Sequence, residues 1–298
     1  MNTTRTTRLL ILNIAALAVL VAVAPNTQGA DPFVAGGRSS RPVAVSASET
    51  DRSSARGAAL AKALGLPGVT HRAERLDDRF EHRVYDEVTS FDARGREVAI
   101  SRFDADGRVV MAVGLGWRSG SGRAIAADVA ARRASEVAAA AGLAVAGRPT
   151  TQRSAGAGGW AVSWPRVVDG VRVAGDGLRV LLWNDGSFHG LARQERPLAA
   201  APARPIPEAA ARAAAEAAAG ARFGQAGAGA LRVIAAERAW IAPNDTWDAA
   251  RPDAPDAILR LAWIVRFETS GELAERVRLA EFWIDAGDGS VIGGDIVE

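Results

Sequence analysis

The side chains able to do chemistry in this chain are few and widely spaced. Its histidines are His71, His82 and His189. A zinc peptidase helix carries two imidazoles four residues apart with a glutamate after the first, so that both rings reach one ion. His71 and His82 are 11 residues apart and neither precedes a glutamate. Both read as solvent-facing strand or loop residues, and His189, just beyond a Trp-Asn-Asp-Gly-Ser turn, reads as a hairpin residue. The sequence has no Cys, which removes thiol nucleophiles and a disulfide frame. It also lacks a G-x-S-x-G elbow, a Walker loop and a dinucleotide glycine fingerprint. Carboxylates remain, but their spacing singles out no acid–base pair. The expectation is a protein that is not an enzyme, with no catalytic, cofactor-binding or metal-binding residues.

Two acidic groups test that expectation. Asp245, Asp248, Asp253 and Asp256 share one Pro-rich loop, and Asp285, Asp288 and Asp295 flank the last hairpin. Neither shows the alternating D-x-D-x-D-G order that feeds several oxygens to one calcium ion. They read as turn formers and solvated loop charge. Of the eight Trp residues, most occupy apolar strand positions and read as core. Trp117, before a Ser/Gly-rich stretch, and Trp247, in the acidic loop, are the two placed to meet a partner.

The elements that position these residues follow from periodicity. From Leu259 the apolar residues Leu259, Leu261, Trp263, Val265 and Phe267 alternate with Arg260, Ala262, Ile264 and Arg266, which predicts a strand with one buried and one mostly wet face. A second strand, a tip at 285–289 and a third strand follow. Upstream, FDARGREV (91–98) and FDADGRVV (103–110) are near copies, each with an Asp and Gly reversal, and predict a three-stranded meander. Val109, Met111, Val113 and Leu115 are expected to mark its buried face. Helices are expected near 54–64, at 123–141 and from Pro207 to Gly220, with strands at 160–168, 171–183, 187–192 and 231–240.

Composition is that of a globular chain, with 48% hydrophobic and 23% charged residues. Lys62 is the one lysine among 36 basic residues, a bias of base composition. Despite the high pI, charge forms no one-signed stripe, so a nucleic-acid partner is not expected. Basic and acidic residues balance over 57–118, the segment 119–198 holds 10 basic and 6 acidic, and 199–298 holds 10 basic and 15 acidic. At the N-terminus Arg5 and Arg8 precede an apolar run from Leu9 to Ala24 and then small residues, the pattern of an export signal over 1–30. An uncleaved anchor is the alternative. No membrane contact is expected beyond that signal, and residues 31–54 read as a flexible leader. The expected location is therefore secreted or cell envelope.

The sequence F-x-I-D-A-x-x-G-x-V-I-G-G at 282–294 resembles the end of a PepSY domain. VDGVRVAGDGLRVLLWNDGSFHG (168–190) resembles the propeptide region of fungalysin- and thermolysin-type metallopeptidases. The resemblance covers 120–298 well and 55–118 weakly. It implies an α+β fold of repeated units, each one helix packed on a curled antiparallel β-sheet, at 55–118, 119–198 and 199–298. It also implies a propeptide-like protein without the peptidase, which binds and inhibits or chaperones a secreted metallopeptidase. The tail from Gly293 to Glu298 is the segment a peptidase would follow in a zymogen, and so the expected contact. A cell-envelope interaction module with no peptidase partner is the alternative.

Overall fold

The computed structural model describes residues 41–78, 83–115, 122–154, 159–244 and 258–297. They fall into two compact units, one running to Pro165 and including Gly175–Gln194, the other made of Arg166–Ala174 and Glu195–Glu298. No helix among the described residues is long and apolar enough to cross a membrane.

The strands up to Gln194 are β1 (Arg41–Val43), β2 (Thr70–Asp78), β3 (Arg83–Phe91), β4 (Glu97–Phe103), β5 (Val109–Gly114), β6 (Thr150–Arg153), β7 (Gly159–Val168), β8 (Val171–Trp183) and β9 (Phe188–Gln194), all of the first unit except the end of β7 and the start of β8, which belong to the second. Their spatial order is β1-β2-β3-β4-β5-β9-β8-β7-β6. The two near-copy motifs make the β3–β4 and β4–β5 hairpins. In each, the Asp N–H (Asp92, Asp104) donates to an Arg carbonyl four residues on (Arg96, Arg108) at 2.9 Å. Gly95 and Gly107 take φ of 73° and 77°, a left-handed backbone in which a Cβ would be strained. Repetition of one local motif therefore fixes both reversals.

Helix α1 (Ala47–Ala63) begins at a capping box, with Ser46 accepting from the Glu49 N–H and Glu49 accepting from the Ser46 N–H. It starts earlier than expected from apolar spacing because the cap, rather than the first apolar residue, nucleates it. Helix α2 (Ala127–Ala140) buries a stripe of Ala130, Ala134 and Ala138, with Ile125 and Val137 beside it. Both helices share one core with Val88, Phe103, Val109, Trp160, Val162, Trp164, Val180 and Leu182. A bulge between Arg102 and Phe103 breaks the expected alternation of β5. Val109 joins the helix-side core, whereas Met111, Val113 and Leu115 form a separate cluster with Ile100.

The second unit contains helix α3 (Glu208–Ala228) and strands β10 (Leu231–Ile241), β11 (Arg260–Thr269), β12 (Leu279–Asp285) and β13 (Val291–Val297). Strands β10 to β13 pair antiparallel in sequence order. The first residues of β8 join β10 in parallel, Arg172 opposite Ala239 and Val173 opposite Trp240. Ala211, Ala215 and Ala219 of α3 lie against Val265, Phe267, Phe282 and Ile284. Past the expected stop at Gly220 the helix continues, interrupted at Gly224. The face of β11 expected to be mostly wet is buried at Ala262 and Ile264, in a cluster with Ala239, Ile241 and Ile292.

The expected architecture of repeated helix-on-antiparallel-sheet units is thereby overturned. The described residues form thirteen strands and three α-helices, and the sheet is mixed, with a parallel β8–β10 pairing. The second helix does not open a new sheet either, because β9 pairs with β5 through Met111–Ala192, Ala112–Leu191 and Val113–Gly190. Local alternation identifies a strand. It does not say which other strand satisfies its backbone groups.

Candidate functional site

The chemically able residues are dispersed by this fold. His71, on β2, sits opposite Ser90 with its Nδ1 2.9 Å from Ser90 Oγ. Ser90 is 1% exposed, so this hydroxyl is enclosed rather than presented to a substrate. His189 stacks on Trp183 with ring centroids 4.0 Å apart, and burial pushes its pKa down. Asp285 and Asp288 serve the last hairpin: Asp285 Oδ1 accepts from the Gly287 N–H at 2.7 Å, and Asp288 Oδ1 accepts from the Ser290 N–H at 2.8 Å. Bonds from Ser290 hold the Asp288 carboxyl below its usual range. Asp295 lies on β13 opposite Glu281. His82, Trp117, Trp247, Asp245, Asp248, Asp253 and Asp256 lie outside the described residues. Trp160, Trp164 and Trp240 are buried, as their apolar strand positions required.

A polar cluster joins α1 to the sheet. Ser53 Oγ donates to Asp86 Oδ2 at 2.6 Å, Arg75 Nε donates to Asp86 Oδ1 at 2.8 Å, and Arg75 Nη1 lies 3.3 Å from Glu49 Oε1. Burial alone would raise the Asp86 pKa; bonds from Arg75 and Ser53 and the charges of Arg75 and Arg56 outweigh it and hold the carboxyl low. The adjoining space is about 10 Å³, room for one water at most. Ser53, Asp86, Arg75 and Glu49 are bonded to one another, so the cluster fastens a helix to the sheet.

The remaining feature with binding capacity is the backbone at sheet edges, where unpaired N–H and C=O groups can accept a further strand. Edge β1 is three residues long and contains Pro42, which has no N–H. The expected contact, the tail from Gly293, is instead part of β13 and is partly closed on its outer side. Asn244 Nδ2 donates to the Gly294 carbonyl at 2.8 Å and its Oδ1 accepts from the Gly294 N–H at 2.7 Å. One amide side chain thus imitates a neighbouring strand. A Cβ at Gly293 would lie 1.8 Å from that Oδ1, so only glycine lets Asn244 in.

The edge of β10 is different. Along β11 it is paired from Leu231 to Ile241, but toward β8 only Ala239 and Trp240 find partners. Among the described residues, no strand covers Leu231–Arg238 on that side. Ile234 at its centre is 46% exposed and sits in a bulge between Val233 and Ala235. Sequence alone marked this segment as a strand and gave no sign of the open side, because the β7–β8 hairpin that ends short of it is distant in the chain.

No family model matches the chain, and no curated protein matches it. Among solved structures it is similar to the C-terminal domain of Bacillus megaterium YpeB, with 13% identity and a TM-score of 0.46, over 87% of this chain and 99% of that one.

Proposed function

We propose that this is an exported, non-catalytic binding protein of propeptide type that takes an extended segment of another protein onto the open edge of β10. The observation that carries the binding role is the run Leu231–Arg238, paired on one side only and solvent-facing at Arg232, Ile234, Glu237 and Arg238. Main-chain hydrogen bonds from an added strand would satisfy that side, with side chains near Ile234 selecting the partner. The choice of partner, a secreted metallopeptidase, is supported by the sequence likeness of 168–190 and 282–294 to propeptide modules.

The test mixes the purified chain with secreted metallopeptidases of the source organism at about 1 μM. The expected result is a complex and altered peptidase activity, both weakened when Ile234 is replaced by Pro. Unchanged activity with no complex would overturn the peptidase reading. Capture of a different envelope protein through the same edge would favour the interaction-module alternative.

A further inference from the structure

The bulge in β10 has a geometric consequence. Arg232 stands opposite Glu268 and Glu237 opposite Ile264, four residues apart on β11, so both charges share one sheet face. Val233 stands opposite Phe267 and Ala236 opposite Val265, which places them on the other face, where both contact the α3 core. Without the extra residue at 234, positions 232 and 237 would fall on opposite faces. With it, the face pattern of 231–238 is the same read in either direction about the midpoint of Ile234 and Ala235. The charges at mirrored positions are opposite, Arg232 against Glu237.

We infer that the open β10 edge pairs with the same edge of a second copy across a twofold axis. In that register Arg232 meets the partner's Glu237 and Val233 meets the partner's Ala236, with Ile234 beside the axis. An isologous contact needs this self-complementarity, in which each residue type faces its mirrored opposite. Within one chain Arg232 already bonds Glu268, and Glu237 lies 3.4 Å from Arg172 and 3.9 Å from Arg266. The ion pairs across the axis therefore extend an alternating row of charges. The apolar side of the strand extends the α3 core in the same way. A strand pair buries little area, so the dimer is weak, with a dissociation constant on the order of 10 μM. The inference rests on the open edge used in the functional proposal above. The dimer is what occupies that edge when no partner protein is bound.

Sedimentation from about 1 to about 100 μM tests it, with a concentration-dependent shift from monomer to dimer expected. Arg232→Glu and Glu237→Arg each place like charges together twice per dimer and are expected to weaken it roughly tenfold. The double variant restores opposite charges and is expected to recover the dimer. Circular dichroism checks that every variant is folded. For the unaltered protein, amide exchange at Leu231–Glu237 is expected to slow as concentration rises. A monomer throughout the range, concentration-independent exchange at these amides, or a double variant as weak as the singles would overturn the inference. Partner capture is measured at about 1 μM, well below the dimer's dissociation constant, so loss of either interaction is read separately.

Discussion

Two helices in this molecule are seated on their sheets by different physics. Helix α3 uses three alanines to come close to Val265, Phe267, Phe282 and Ile284. What seats these alanines is burial of apolar area and packing, most of it supplied by the strands, since alanine contributes little area of its own. Helix α1 buries Ser53, Gly57, Leu60 and Ala61 and adds the Ser53–Asp86–Arg75–Glu49 chain of bonds. An apolar seat is indifferent to pH and tolerant of small rotations. A polar seat fixes one orientation and depends on the charge of its carboxylates.

The largest effect is expected in the apolar seat. Phe267→Ala removes a ring that is 2% exposed and meets Phe282 edge-on at 5.6 Å, and should cost about 4 kcal/mol, read as loss of amide protection in α3 ahead of α1. Next is Gly57→Ala. Its new Cβ would lie 2.3 Å from Val88 Cγ1, so a crowding cost outweighs the gain in helix propensity of about 1 kcal/mol, leaving a net loss of about 2 kcal/mol. The pair Gly57→Ala with Val88→Ala should recover part of it. If Gly57→Ala stabilises instead, α1 sits farther from β3 than described.

Asp86→Asn should cost about 1.5 kcal/mol by leaving Arg75 without its best acceptor. The pH dependence sharpens the same contrast. Asp86 is held below its usual value, and Glu49 is brought down to about 2 by the Ser46 side-chain and backbone bonds, with Arg75 assisting. Carboxyls lowered on folding stabilise above their unfolded pKa and lose that contribution as pH falls through the folded values. Protection of α1 should therefore decline from about pH 4.5 toward about pH 2, while α3 protection follows no such window. Equal decline in both helices would contradict the comparison. The smallest effect is Ser46→Ala, about 1 kcal/mol through loss of the N-cap, confined to the first turn of α1.

Much of the local structure was legible. The near-copy motifs at 91–98 and 103–110 announced two hairpins because Gly at that offset takes the left-handed backbone a tight reversal needs, while the Asp side chain accepts a turn N–H. The alternation from Leu259 announced β11. What misled was the assumption that a wet-looking face stays wet. Ile264 and Ala262 are covered by residues from β10 and β13, which no local pattern reveals. The alternation of 109–115 was likewise read through a bulge at Val110. The candidate site was the least legible part, since an edge is defined by a missing neighbour, and neighbours are chosen over distances of 60 residues or more, as between Arg172 and Ala239.

The sequence by itself determined where strands and reversals fall and the absence of Cys, because these depend on steric preference, on alternation and on composition. Tertiary structure alone decided that β5 takes β9 and that β10 is left half open. It also placed Asn244 along β13, because hydrogen-bond pairing between strands is a long-range choice among backbones that are chemically the same.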